Sequence, residues 1–203
     1  MLFVKTPLFI QNFFSSILFR KKTTLKQVFL TFDDGPTEVF THWILKLLGN
    51  LNIKATFFCV GKHAQQNPNI ISDILKRGHR IGNHTYSHKN AFFSSTKSYL
   101  NDIEKCNDLL GKTDLFRPPY GKILPWQILT IQKYFKIVMW DVLSYDFKKN
   151  ISAEKLQSNV LNNLENGSII VFHDNIKSEK ILKECLQDIL VKIKEKGYTF
   201  STL

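Results

Sequence analysis

The stretch Val28-Phe-Leu-Thr-Phe-Asp-Asp-Gly-Pro36 decides how the rest of the chain is read. Strand-forming residues run straight into two adjacent carboxylates and a Gly-Pro stop, the pattern of a buried strand ending in a sharp turn. Asp33 and Asp34 are thereby placed at the C-terminal end of a strand, where α/β proteins carry their chemistry. Two neighbouring carboxylates repel one another unless a cation or a shared proton offsets the cost. Alone, an Asp-Asp turn is more often simply solvated. The remaining chain supplies partners for both residues.

The same pattern of an apolar run followed by a turn recurs at 55–60, 79–83, 115–117, 136–142, 168–174 and 197–201. Helical spacing of apolar residues fills the intervals, at 37–49, 62–77, 95–110, 124–134, 152–165 and 178–196. Such alternation implies a parallel sheet with right-handed crossovers. Asp33-Asp34, His84, Arg117, Asp141 and His173 all end or follow a predicted strand on the same side. Polar residues from so many strand ends converge more naturally on a barrel mouth than on an open sheet. The expected fold is therefore α/β, a distorted seven-stranded (β/α) barrel resembling a TIM barrel, spanning residues 28–203.

Residues 1–27 precede that domain as an apolar and basic segment. Leu8 to Phe19 is apolar apart from Gln11, Asn12, Ser15 and Ser16, which is too short to span a bilayer. It is read as packing on the domain, with a peripheral membrane contact as the lesser option. Neither a cleavable leader nor a transmembrane helix is recognised, so the cytoplasm or a membrane surface is the default location and a monomer the default state. The chain has 203 residues, 43% hydrophobic and 22% charged, enough for one domain with a full core. Its 28 Lys and Arg against 17 Asp and Glu give +11. The lysines are scattered along helices, so a solvated basic surface is expected and no nucleic-acid partner. Cys59, Cys106 and Cys185 are odd in number and widely spaced, which argues against disulfides and against a cysteine-based zinc site.

His84-Thr-Tyr-Ser-His88 sets two imidazoles four residues apart, on one face of a helical turn. With one carboxylate of the Asp33-Asp34 pair they supply three N/O ligands for a divalent ion and leave a position open for water. Zinc is the default, and cobalt, nickel or manganese would suit the same donors. The second aspartate is then available as a base. His173, emerging from an apolar strand, can serve as an acid, and Arg117 can hold the base ionised through a bidentate pair. The Pro118-Pro119 turn leaves the Tyr120 N–H free to face an oxyanion. Together these parts make up metal-assisted hydrolysis of an acyl bond.

Thr31-Phe-Asp-Asp-Gly-Pro36, His84-Thr-Tyr-Ser-His88, Arg117-Pro-Pro-Tyr120 and Val171-Phe-His173 resemble the ordered motifs of the polysaccharide deacetylase family, the NodB-homology domains of carbohydrate esterase family 4. The resemblance runs from about residue 28 to the end. It implies a metal-dependent enzyme that removes acetyl groups from N-acetylated sugars of a peptidoglycan- or chitin-like polymer. It implies Asp33 as general base, Asp34, His84 and His88 as metal ligands, and His173 as general acid. Arg117 would orient Asp33, the Tyr120 amide would face the oxyanion, and Pro119, Phe147 and Val171 would lie on the substrate side. One motif departs from the pattern. Where the family has an Asp that tunes the catalytic histidine, this chain has Leu143, so Asp141, two residues earlier on the same strand face, is expected to take over. Asp146 would lie on the opposite face of a regular strand. His42, His63 and His79 read as surface or structural.

Two alternatives remain open on sequence grounds. The same site could act on a small non-peptide amide or imide. From a different class, the chain could be an inactive basic glycan- or nucleic-acid-binding module, recognisable by steep salt dependence.

Overall fold

The computed structural model describes residues 3–203; Met1 and Leu2, at the start of the 1–27 segment, lie outside them. The centre of the sheet is β1 (Gln27–Asp33), buried from Val28 onward. It pairs in parallel with β2 (Thr56–Cys59) on one edge and with β7 (Ile169–His173) on the other. Beyond β2 come β3 (Arg80–Asn83), β4 (Leu115–Phe116) and β5 (Lys136–Ile137), and beyond β7 comes β6 (Val142–Leu143). A short final strand, β8 (Thr199–Ser201), pairs with Gln27–Phe29 at the start of β1.

Side chains of β1 alternate between two environments, as a strand buried on both faces requires. Val28, Leu30 and Phe32 pack outward against the helical layer, into one cluster with Ile44, Ile74, Val160, Leu186 and Leu190. Those residues belong to α2 (Glu38–Asn50), α4 (Pro68–Lys76), α7 (Ala153–Leu161) and α8 (Ile176–Glu195). Phe29 points inward, with Phe58, Leu115, Val138 and Ile169. Each such fully buried side chain contributes about 1.5–3 kcal/mol. Thr31 and Asp33 share the inward side of Phe29, which aims a carboxylate into the barrel.

The distorted (β/α) barrel is formed, with one rearrangement that shapes the site. The strand expected over 136–142 is broken: β5 pairs with β4 at one end of the sheet, and β6 pairs with β7 at the other. A single run of chain thus joins the two ends and closes the ring. Backbone groups left open beside that run are met by the N-terminal segment. Leu18 N–H donates to the Ile137 carbonyl at 2.8 Å, and the Leu18 carbonyl accepts from Met139 N–H at 2.8 Å. Thr6 N–H bonds the Asp141 carbonyl, Leu143 N–H the Val4 carbonyl, and Lys21 N–H the Gly167 carbonyl. Ile17 and Phe19 are buried with Ile128, Met139 and Leu143, whereas α1 (Leu8–Phe13) leaves Leu8, Phe9 and Phe13 exposed.

The helix expected over 62–77 is also two, α3 (Gly61–Gln66) and α4, divided at Asn67-Pro68. Pro68 has no N–H to continue the helix and pushes Asn67 out of helical conformation. The remaining helices are α5 (Thr96–Leu109) and α6 (Pro125–Ile131). The three cysteines are free and buried.

Candidate active site

The mouth of the barrel gathers residues from the ends of β1, β3, β4, β6 and β7 around a cavity of about 710 Å³. β1 delivers Asp33 inward, and the next residue reverses direction: Asp34 has φ 82, so its carboxylate leaves on a different side. Asp33 is buried and accepts a hydrogen bond from Arg117 Nη1 at 2.6 Å. The bidentate pair expected from the sequence is not formed. The same Nη1 also donates to Thr31 Oγ1 at 2.8 Å, Nη2 donates to the Met139 carbonyl at 3.0 Å, and Nε to the Val138 carbonyl at 3.3 Å. Those two carbonyls lie in the break between β5 and β6, where no neighbouring strand serves them. The buried guanidinium serves them instead, and stacks 4.0 Å over the Phe58 ring.

His84 and His88 are not on a helical turn. They sit in the loop after β3, where Thr85 (φ 63) and His88 (φ 54) are left-handed and fold the chain back on itself. The ring centroids end up 5.1 Å apart. His84 Nδ1 donates to the Arg117 carbonyl at 2.7 Å, which anchors the ring and turns Nε2 toward Asp34. His88 Nδ1 meets Tyr120 Oη at 3.1 Å. Both Nε2 atoms face Asp34 Oδ1, at 3.5 Å from His84 and 3.0 Å from His88. Burial disfavours the Asp34 carboxylate, but hydrogen bonds from His84 and His88 and the charge of His173 outweigh it and hold the group well below the usual carboxylate range.

The ligand atoms of Asp34, His84 and His88 lie within 4.8 Å of one another. A carboxylate and two imidazoles turned to one point, each ring anchored through its other nitrogen, suit a divalent ion with N/O preference.

His173 ends β7 beside Asp33 in register. Its partner is Asp146, and the expectation for Asp141 is corrected. Asp146 Oδ1 lies 2.7 Å from His173 Nδ1, and Asp146 Oδ2 accepts the His173 backbone N–H at 2.7 Å. Asp141 is buried elsewhere, held by Lys5 Nζ at 2.7 Å, Gln11 Nε2 at 3.1 Å and the Ser168 hydroxyl. The period-two argument fails because β6 stops at Leu143. Tyr145 is left-handed (φ 65) and Ser144 Oγ accepts the Asp146 N–H, so the chain turns and brings Asp146 under His173. Burial disfavours the imidazolium, but Asp146 first, then Asp34 and Asp33, outweigh that and raise its pKa to about 9.

Val171, Leu143, Phe147 and Trp140 supply the apolar wall. The Phe147 ring stands edge-on to His173 with centroids 5.0 Å apart. Pro118, and not the buried Pro119, lines the cavity beside the left-handed turn at Tyr120 (φ 62). Gly121 follows in the left-handed region, where a Cβ would collide with the Trp140 ring. Trp140 and Asn175 also line the cavity and were not singled out from the sequence; Leu143 and His63, named there in other roles, line it too. His63 binds the Asp34 carbonyl through Nδ1 at 2.7 Å. His42 is exposed near Asp73, and His79 is buried, accepting the Ala55 N–H.

Comparison with known proteins gives a consistent picture. The family described as polysaccharide deacetylase matches residues 20–138. A peptidoglycan-N-acetylglucosamine deacetylase of Bacillus cereus is 40% identical over 184 residues, covering 87% of this chain and 66% of the relative. The peptidoglycan-N-acetylmuramic acid deacetylase PdaC of Bacillus subtilis is 32% identical, covering 88% of this chain but 38% of its own length. Among solved structures, the Bc1960 peptidoglycan N-acetylglucosamine deacetylase in complex with 4-naphthalen-1-yl-N-oxidanyl-benzamide superposes with a TM-score of 0.89 at 37% identity, over 98% of this chain and 95% of that one. The chain thus spans less than two thirds of these two curated relatives.

Proposed function

The chain belongs to the polysaccharide deacetylase family, and on that premise we propose that it hydrolyses N-acetyl groups of a peptidoglycan-type glycan with a divalent ion at Asp34, His84 and His88. One observation carries the reading: Asp33, His173 and the three ion ligands all face one cavity, with Arg117 bonded to Asp33 and Asp146 to His173 from the buried side. A divalent ion held there would supply Lewis-acid polarisation of the acetyl carbonyl and a more acidic water. Zinc is the proposed ion, and the N/O donor set also suits cobalt, nickel and manganese.

Asp33, held in place by the Arg117 hydrogen bond, takes the proton from the attacking water. His173, kept protonated by Asp146, stands across the β1–β7 register and gives its proton to the leaving amine. Positioned acids and bases of this kind contribute about 10²–10⁴-fold each. The Tyr120 N–H faces the developing oxyanion. Leu143, Phe147, Val171 and Trp140 enclose the acetyl methyl, and exclude water from the bond being broken. The relatives act on N-acetylglucosamine in one case and N-acetylmuramic acid in the other, so both sugars of peptidoglycan are candidate sites.

The test is acetate release from N-acetylglucosamine oligomers, from peptidoglycan fragments and from small cyclic imides, each with the zinc-loaded chain. Release from the glycans but not the imides is expected. Hydrolysis confined to the imides would overturn the reading.

A peripheral contact with an anionic lipid surface is part of the same proposal. Leu8, Phe9 and Phe13 on α1 are exposed in a chain of net charge +11. Sedimentation with anionic but not neutral vesicles, lost in a Phe9→Ser/Phe13→Ser variant, is the expected result. Equal behaviour with both vesicles would remove this contact from the account.

A further inference from the structure

We infer that Asn175 is a positioning residue of the ion site, whose side-chain amide holds the Asp34 carboxylate in the orientation that leaves Oδ1 for the ion. The inference rests on the proposed site at Asp34, His84 and His88. Asn175 follows β7 and occupies the cap position of α8, with φ −118 and ψ 167. Its Oδ1 accepts the Ser178 N–H at 3.1 Å, which fixes which end of the amide is which. Nδ2 must then face the other way, and it donates to Asp34 Oδ2 at 2.6 Å. The two carboxylate oxygens therefore have different partners: Oδ2 belongs to Asn175, and Oδ1 faces both imidazoles.

The choice of residue type supports this. A helix cap needs only an acceptor, and Asn, Asp, Ser and Thr all provide one. Donating to the Asp34 carboxylate as well calls for the longer amide, because Asp has no donor when ionised and a Ser or Thr hydroxyl, though it can donate, is too short to reach. The N-terminus of a 20-residue helix also presents its positive end to the Asp34 anion.

Asp34 needs such support because its left-handed backbone is unfavourable for a residue with a side chain. Three further contacts hold the turn around it. His63 Nδ1 donates to the Asp34 carbonyl at 2.7 Å. Gly35 N–H donates to Asp174 Oδ1 at 2.9 Å, and Asp174 N–H to the Asp33 carbonyl at 3.0 Å. The turn leading into α8 thus grips the Asp33-Asp34-Gly35 turn through its backbone, and Asn175 adds the one contact to the ligand side chain.

Two variants of the full chain separate capping from positioning. Asn175→Ser keeps a cap acceptor but is too short to reach Asp34, whereas Asn175→Ala loses both. Zn²⁺ and Co²⁺ are titrated into chelator-stripped wild type and variants, and thermal unfolding of the stripped proteins is measured alongside. Loss of a partner that orients an ion ligand costs roughly 10–100-fold in affinity. That loss is expected in both variants, with the unfolding temperature of the stripped protein falling only in Asn175→Ala. Wild-type affinity in Asn175→Ser, or a loss of affinity confined to Asn175→Ala, would overturn the inference. A wild-type chain that binds neither ion would instead overturn the site on which the inference rests.

Discussion

Asp146→Asn tests the pairing that the structure puts in place of the one expected from the sequence. The substitution keeps the shape of the side chain and removes its charge, 2.7 Å from His173 Nδ1. A carboxylate and an imidazolium with charge centres about 4 Å apart are worth roughly 4 kcal/mol at an effective dielectric of 20, or about three pH units. The imidazolium loses its proton near pH 9 with Asp146 in place. Without it, burial acts against the charged ring with only Asp34 and Asp33 opposing. The proton donor must be protonated at the start of each cycle, so activity falls as pH rises through the pKa of His173. Lowering that pKa moves the alkaline limb of kcat/KM downward, by about two pH units or more on this estimate. An ion neutralising Asp34 lowers the starting point in wild type and variant alike, and leaves the direction unchanged. Stability follows the same sign: a histidine whose pKa is raised on folding contributes stability that is complete below about 6.5 and is lost as pH rises through about 9. The stripped wild type should therefore lose stability across that window, and Asp146→Asn should not. The substitution also leaves one of two buried bonds unmade, at a cost of about 1–3 kcal/mol. The assay is acetate release against pH, with ion content measured on the same samples. An alkaline limb that stays in place at full ion content would refute the pairing. Asp141→Asn is the control: it should destabilise the fold around Lys5 and Ser168 and leave the limb where it is.

Other outcomes follow from the same geometry. His84→Ala and His88→Ala should each abolish ion binding, read by elemental analysis; full occupancy in both would remove the site. Asp33→Asn should keep the ion and lose about 10²–10⁴-fold in turnover, whereas Asp34→Asn should lose ion and turnover together; the reverse pattern would exchange their roles. Arg117→Met leaves Asp33 buried without its partner and should cost about 3–5 kcal/mol in denaturant unfolding. Adding Asp33→Asn should restore much of that stability and none of the activity; additive losses would contradict the pair. Burial pushes the Asp174 carboxyl up to about 7, against hydrogen bonds from Thr41 and Gly35. An acid with a raised folded pKa contributes stability that fades as pH climbs from about 4 to 7, so Asp174→Asn should gain on wild type between pH 5 and pH 8 in thermal unfolding. No relative gain would argue against a strained carboxylate there.

Most of the site was legible because β1, β3, β4 and β7 end where their apolar runs end. Asp33, Asp34, His84, Arg117 and His173 lie at those ends, and the structure brings all but Arg117 to one cavity, with Arg117 buried behind Asp33. The sequence misleads where a strand breaks or a backbone turns left-handed. The apolar run Ile137-Val-Met-Trp140 looks like one strand because its residues are buried, yet burial there comes from bridging two ends of the sheet and from the N-terminal segment. Beyond Leu143 the alternation of faces no longer holds, which exchanges Asp141 and Asp146. Ser144-Tyr145-Asp146 carried a weak signal, since Ser and Asp two apart favour a local turn. His88 reaches Asp34 through two left-handed residues, a geometry that the spacing of four mimics but does not specify. Asn175 was hidden for a different reason. As the residue before an amphipathic helix it reads as an ordinary cap, and its second hydrogen bond spans 141 positions in the chain.

If acetyl transfer to water depends on an ion held by Asp34, His84 and His88, it is seen most directly in acetate release from peptidoglycan fragments by the stripped chain as zinc is added back. Activity should be absent without the ion, rise linearly, and level off at one equivalent per chain, with His88→Ala inert throughout. Undiminished release by the stripped protein, or a His88→Ala variant that responds to zinc as wild type does, would contradict it.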